Sequence, residues 1–144
     1  MMKCLFFLLF VAACQAYVAR VAEEIPTPAV TGFETTFHQD GDKSLLLEWS
    51  PVENPEILGY RMTVWDQGTD VSNISDDLSN IHGEVVVDAN TKSASVGGLQ
   101  LDTWYLARVQ AFTRTAASEW SNRRWVMLHS PLTRDGRPSY TVME

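Results

Sequence analysis

Short alternations of apolar and polar residues dominate the chain between residues 29 and 128, and they constrain its fold more than any other feature. Successive side chains of a β-strand point to opposite faces, so a period of two marks a strand that is buried on one face. These stretches are rich in Val, Thr, Trp and Tyr and are separated by Gly, Pro, Asn and Asp. The pattern predicts an all-β fold, a seven-stranded antiparallel sandwich of two sheets. The predicted strands are Ala29–Phe37, Ser44–Ser50, Gly59–Gln67, Gly83–Asp88, Lys92–Gly97, Thr103–Thr113 and Glu119–Leu128.

The first 16 residues have the pattern of a secretory signal peptide. Lys3 precedes an apolar run from Cys4 to Cys14, and small residues precede a cleavage site after Ala16. The run of about 11 apolar residues is shorter than the roughly 20 that a membrane-spanning helix needs. We therefore expect a secreted protein without a membrane anchor.

The rest of the chain divides into three parts. Residues 17–25 form a short leader, and the alternating strands occupy one domain over residues 26–129. Residues 130–144 have few apolar side chains and no periodicity, which predicts a flexible C-terminal tail.

Cysteine content and charge exclude several classes of protein. Cys4 and Cys14 are the two cysteines, and both lie in the predicted signal peptide. The secreted chain therefore has no disulfide and no thiol nucleophile, and its core alone must hold it together. The net charge is −7, and removal of Lys3 makes it −8. Such a charge disfavours nucleic acid and anionic lipid surfaces as partners.

No arrangement of residues in the sequence predicts catalysis. His38, His82 and His129 are scattered and have no companions at metal-ligand spacing. We therefore predict no catalytic residues, no metal site, no cofactor and no enzyme activity. The acidic pairs Asp40/Asp42 and Asp76/Asp77 lie in polar loops that lack the twelve-residue calcium loop. They are interpreted as solvated turn residues, with a weak contact to calcium ions or a mineral surface as the alternative.

Asn73 begins an Asn-Ile-Ser sequon in the polar segment between the third and fourth predicted strands. Secretion gives access to the glycosylation machinery and a loop gives exposure. We predict an N-glycan at Asn73.

The segment from Leu99 to Ala111 carries a resemblance to a known family. Three of its features resemble the E–F corner and F strand of fibronectin type III domains. They are Leu99, the Thr-x-Tyr motif that ends at Tyr105, and the Arg-Val-x-Ala run that begins at Arg108. Trp49 and Tyr60 match the B-strand Trp and C-strand Tyr of that family, and the Glu-Trp-Ser at residues 119–121 resembles the start of its G strand. The resemblance covers about Pro26 to Leu128. The sequences of the third and sixth predicted strands are similar to those of fibronectin type III modules in adhesion proteins such as contactins.

The resemblance implies a core built on four residues: Trp49, Tyr60, Leu99 and Tyr105. Tyr105 would form a tyrosine corner, with its ring in the core and its hydroxyl bonded to backbone upstream. Trp49 would supply a large apolar anchor in place of the disulfide of antibody domains.

The faces opposite the core predict a second cluster, of aromatic and cationic side chains. Its members are Arg61, Trp65, Trp104, Arg108 and Trp125. The cluster partly resembles the Trp–Arg ladder of cytokine receptors, in which guanidinium planes stack on indole rings. Two interpretations are open: a ladder that stiffens its own sheet, or a surface that binds a partner, since Trp and Arg dominate binding hot spots.

Two functions are compatible with these features. The first is a secreted, non-enzymatic structural or protein-binding component of the extracellular matrix. Short acidic secreted proteins of this type also resemble components of mollusc shell matrix, so a biomineral matrix is included. The alternative is a soluble receptor-like or adhesion-type protein that recognises a protein ligand through the Trp/Arg cluster.

Overall fold

The computed structural model describes residues 25–37, 41–70, 72, 78–132 and 138–143 of the chain. Eight β-strands make up its regular structure. They are β1 (Val30–Phe37), β2 (Lys43–Trp49), β3 (Gly59–Gly68), β4 (Ile81–Asp88), β5 (Ser93–Val96), β6 (Trp104–Phe112), β7 (Arg124–Leu132) and β8 (Pro138–Met143). No helix within these residues is long and apolar enough to cross a membrane. The predicted signal peptide over residues 1–16 and the sequon at Asn73 lie outside the described residues.

The strands form two antiparallel sheets, which confirms the predicted two-sheet sandwich. One sheet has three strands in the order β1-β2-β5, and the other has five in the order β4-β3-β6-β7-β8. The central strands β3 and β6 pair along almost their whole length, from Gly59 opposite Phe112 to Gly68 opposite Trp104. Every side chain of β3 or β6 therefore faces either the other sheet or the outside.

The core lies between the two sheets and follows the alternation of the sequence. Leu45, Leu47 and Trp49 of β2 face it from the three-stranded sheet. Tyr60 packs against Trp49 with the ring centroids 5.5 Å apart. The other buried core residues of β3 and β6 are Met62, Val64, Tyr105, Ala107, Val109 and Ala111. The side chains of Trp49, Tyr60, Leu99 and Tyr105 are all at least 96% buried.

Two tyrosine hydroxyls tie the ends of the core to the connecting segments. The Tyr105 hydroxyl accepts a hydrogen bond from the backbone N–H of Gln100 (2.9 Å), which is the geometry of a tyrosine corner. The Tyr60 hydroxyl accepts one from the backbone N–H of Val52 (2.8 Å). Each ring thus fills the core while its polar end satisfies a loop amide.

Strand β7 begins later than the alternation of the sequence predicts, at Arg124 instead of Glu119. The preceding residues still run beside β6, but serine side chains take part in the bonding. The hydroxyls of Ser118 and Ser121 accept the backbone N–H groups of Ala111 (3.0 Å) and Val109 (2.9 Å). These side-chain bonds replace part of a regular ladder, so the strand starts only after them.

The structure has an eighth strand where the sequence predicts a flexible tail. Strand β8 pairs with the outer edge of β7, with Met143 opposite Trp125 and Tyr140 opposite Leu128. The Tyr140 ring meets Phe33 of β1 edge to face, with 5.5 Å between the ring centroids. Pairing with the edge of β7 and the aromatic contact with Phe33 stabilise this segment. Its own sequence is too polar to indicate a strand.

Tyr105 allows a test of the core by pH. Burial raises the pKa of the Tyr105 hydroxyl above its ordinary value of 10.0. The folded state therefore disfavours the phenolate, and the free energy of unfolding should fall as the pH rises above about 10. We expect Tyr105→Phe to be less stable by about 0.5–1.5 kcal/mol near neutral pH, because the Gln100 amide loses its acceptor.

The same variant should lose less stability than the wild type as the pH rises above about 10, because it has no phenol to ionise at this position. Urea unfolding at several pH values measures both effects. Tyr140→Phe, at a half-exposed ring, is the matched control. A Tyr105→Phe variant with the wild-type pH dependence would contradict the proposed role of the buried hydroxyl.

Candidate protein-binding surface

His82 and Asp42 make structural contacts. Within the described ranges, no group of three or more His, Cys, Asp or Glu residues could hold a metal ion. Nε2 of His82 donates to the carbonyl oxygen of Gly97 (2.9 Å), and the imidazole ring packs against Tyr105. A carboxylate oxygen of Asp42 accepts the backbone N–H of Gly98 (2.8 Å). His38, Asp40, Asp76 and Asp77 lie outside the described residues.

The outer face of the five-stranded sheet brings the three predicted tryptophans together. In register across the sheet, Trp65 lies opposite Leu106, and Leu106 opposite Trp125. Trp104 lies opposite Met127 in the next row. We call these five residues the tryptophan cluster; Trp65 is 2% exposed, Trp104 6% and Trp125 7%.

Three residues from elsewhere in the chain cover the tryptophan cluster. They are Leu78 from the β3–β4 connection, Trp120 from the segment before β7, and Met143 from β8. The indole N–H of Trp65 donates to the carbonyl oxygen of Leu78 (3.1 Å). The Trp120 ring meets the Trp65 ring edge to face at 5.1 Å. The cluster is therefore a second small core on the outside of the sheet, and its rings have little surface left for a partner.

Arg108 holds part of this cover in place. Its Nε donates to the carbonyl oxygen of Ser121 (2.9 Å) and its Nη2 to that of Trp120 (3.2 Å). The guanidinium group thereby fixes the backbone that carries the Trp120 ring. Arg108 therefore stabilises the domain itself, because its planar guanidinium group can donate several hydrogen bonds at once.

Arg61 lies in a different environment on the same face. Its side chain is 42% exposed, and its Nε lies 3.5 Å from a carboxylate oxygen of Glu84. The guanidinium carbon lies 5.9 Å from the centre of the Phe112 ring, which is cation–π distance. Arg61 also lies opposite both Val86 and Gln110 in the sheet register.

The outer face thus consists of two halves. One half is the covered tryptophan cluster, and the other, which we call the open face, consists of Arg61, Val86, Gln110 and Phe112. Of the five predicted binding residues, only Arg61 belongs to the open face. Val86, which is 55% exposed, was not among the predicted residues. Val86 is the second of three consecutive valines after Glu84, and the sequence does not show which of the three points outward. The register with β3 does.

Glycine at position 59 allows the aromatic end of the open face to pack closely. A Cβ atom at Gly59 would lie 2.1 Å from the carbonyl oxygen of Val87 and 3.1 Å from the Phe112 ring. Any side chain there would separate β3 from β4 or displace the ring. The position of Phe112 beside Arg61 therefore depends on the absence of a side chain at residue 59.

The chain belongs to the fibronectin type III domain family, whose model matches residues 28–124. This confirms the resemblance seen in the sequence. Strand β8 lies beyond the matched residues.

Curated relatives that match this chain are much longer proteins. Mouse (Mus musculus) protein sidekick-1 is 30% identical over 110 residues, which cover 72% of this chain and 5% of sidekick-1. Neural cell adhesion molecule L1 from the same species is 33% identical over 85 residues, covering 54% of this chain and 7% of L1. The chain therefore spans about a twentieth of the length of these relatives.

Two solved structures show the same fold. The FN1–FN3 domains of chicken CNTN1 align with a TM-score of 0.51 and 19% identity, over 70% of this chain and 30% of that one. The third fibronectin type III domain of the human KIAA0343 protein aligns with a TM-score of 0.51 and 15% identity, over 78% and 90% of the two chains.

The serine bonds beside β6 can be tested by substitution. Ser121→Ala leaves the buried backbone N–H of Val109 without its side-chain acceptor. We expect a loss of about 1–3 kcal/mol in the free energy of unfolding, the cost of an unsatisfied buried donor. Urea unfolding followed by tryptophan fluorescence measures it, with Ser95→Ala at an exposed position of β5 as the control. Equal stability of the two variants would contradict the role assigned to Ser121.

Proposed function

We propose that this chain acts outside the cell as a non-catalytic protein-binding module of an extracellular matrix. The start of the chain supports secretion, because residues 1–16 have the pattern of a signal peptide. Membership of the fibronectin type III family supports a binding role, and one relative is named as a cell adhesion molecule. Secretion would also expose the Asn73 sequon to the glycosylation machinery.

The open face is the main structural support for this proposal. Arginine and aromatic residues, phenylalanine included, are enriched in protein interfaces. Here the Arg61 guanidinium group lies over the Phe112 ring, beside Val86, which is 55% exposed. Glu84, with a carboxylate oxygen 3.5 Å from Nε, and the Phe112 ring both restrict the positions that the guanidinium group can take. This restriction lowers the side-chain entropy that would be lost on binding a partner.

The negative charge of the chain favours a location in an extracellular matrix over one in free solution. At −7 the chain is acidic, and Glu34 and Glu48 project from the exposed face of the three-stranded sheet. Such carboxylates allow weak, repeated contacts with calcium ions or with a mineral surface, as a shell matrix would require. Protein binding at the open face and ionic contact at the opposite face would together hold the module in a matrix.

A soluble receptor-like protein is the second candidate. The open face favours it equally, because it presents a compact surface of Arg, Phe and Val for one protein ligand. The two candidates differ in where the native protein is found, since a receptor-like binder would stay in the extracellular fluid.

Fractionation of the source tissue, combined with variants of the open face, tests the proposal. We expect the native protein in the matrix that remains after a detergent wash. We expect Arg61→Ala and Phe112→Ala to bind this washed matrix at least about tenfold more weakly than the wild type, a loss of about 1.4 kcal/mol.

Lys92→Ala is the matched control, because it also removes one exposed cation but lies beside the three-stranded sheet. It should bind as the wild type does. Recovery of the protein only from fluid would exclude the matrix role and favour the receptor-like one. Equal binding of Arg61→Ala and Lys92→Ala would exclude the open face as the contact.

A further inference from the structure

Strand β4 is an end strand of the five-stranded sheet. Among the described residues only β3 pairs with it, so the other edge of its backbone faces away from the sheet. The opposite end of the same sheet is β8, which lies along the edge of β7. An end strand presents N–H and C=O groups that another extended chain can bond.

The first half of β4 packs against the other sheet. Gly83 approaches β5 so closely that a Cβ atom would lie 2.6 Å from the Val96 side chain. The hydrogen bond from His82 to Gly97 ties the same part of β4 to the end of β5. In the second half, Glu84–Asp88, every other residue is exposed; we call this half the edge segment.

The edge segment contains three consecutive valines and neither Lys nor Pro, two of the residues that commonly block an exposed edge. Its two charged residues, Glu84 and Asp88, are both acidic, so they disfavour an acidic neighbouring strand and not a basic one. Val85 and Val87 contact the core, whereas Val86 points outward and is 55% exposed. A neighbouring strand would therefore gain both backbone bonds and an apolar contact.

The side chains of the edge segment specify what that strand should carry. Glu84, Val86 and Asp88 share the outer face, since they lie opposite Thr63, Arg61 and Gly59 of β3. Directly opposed charges of opposite sign stabilise a strand pair, and charges of the same sign destabilise it. Glu84 accepts a hydrogen bond from the Thr63 hydroxyl (3.2 Å), and Asp88 accepts bonds from the backbone N–H of Asn90 and the Thr91 hydroxyl (both 2.9 Å). Both acidic residues nevertheless stay exposed, so the complementary strand has basic, aliphatic and basic residues at alternate positions.

The same charges disfavour a second copy of this chain as the partner. If two edge segments paired with Val86 opposite Val86, Glu84 of each copy would lie opposite Asp88 of the other. Both acidic pairs would repel.

We propose that the edge segment binds an extended segment of a partner protein, which adds to the five-stranded sheet as a further strand with a basic-aliphatic-basic outer face. The proposal rests on the protein-binding function proposed above and names the chemistry of the segment that the module recognises. Backbone hydrogen bonds provide the general attraction, and the alternating side chains provide the selectivity.

A titration of the full chain with a short peptide tests this proposal. The probe is the seven-residue peptide Thr-Lys-Thr-Val-Thr-Lys-Thr. Added to isotope-labelled protein, it should shift the amide resonances of Glu84–Asp88, and the dissociation constant should rise with salt. A peptide with glutamate in place of lysine should bind at least about tenfold more weakly.

Two controls separate strand addition from general attraction to an acidic protein. The lysine peptide with N-methyl groups on alternate residues keeps its charge but cannot complete the backbone bonds, so its binding should be lost. Val86→Lys should weaken binding of the unmethylated peptide at least about tenfold, whereas Thr36→Lys, which adds the same charge at an exposed position of β1, should not.

Absence of shifts at millimolar peptide, or equal binding of the methylated peptide, would overturn the edge proposal. Failure of the peptide together with loss of matrix binding by Arg61→Ala would remove the edge proposal alone and leave the proposed function. Unchanged matrix binding by Arg61→Ala together with peptide binding at Glu84–Asp88 would keep the edge and remove the open face.

Discussion

Packing of the β2 side chains against β3 and β6 is the interaction on which the rest of this structure depends. Residues 17–144 contain no cysteine, so apolar contact between the sheets must supply the stability that a disulfide gives antibody domains. The contact between Trp49 and Tyr60 lies within this interface. Because side chains alternate along a strand, the residues that face the core also determine which residues face outward. Arg61 and Trp65 lie on the outer face because Tyr60, Met62 and Val64 occupy the core.

Local patterns allowed much of the fold to be predicted. The alternation in β2, β3 and β6 identifies the core, and the residues around Tyr105 identify the family, because both depend on near neighbours in sequence. Strand β8 could not be predicted, because its placement depends on the edge of β7 and on Phe33, more than 100 residues earlier in the chain. The start of β7 was predicted too early, since alternation does not reveal that serine hydroxyls bond to β6.

The candidate site shows the same division between local and distant information. The sequence placed three tryptophans and two arginines on one face of a sheet, and the structure places all five there. It did not show that Leu78, Trp120 and Met143 cover the indole rings, because these residues come from connections and from β8. Arg61 and Arg108 are the same residue type on neighbouring strands, yet Arg108 bonds the covering segment while Arg61 remains accessible. The difference arises from their neighbours.

The outer face of the five-stranded sheet is divided into a covered half and an open half. Hydroxyl-radical footprinting of the full chain in solution, read by mass spectrometry, tests it at single side chains. After correction for intrinsic reactivity, Trp65, Trp104 and Trp125 should oxidise slowly, whereas Val86 should oxidise as fast as Leu58, which is equally exposed. Fast oxidation of the three tryptophans, or protection of Val86, would contradict the division.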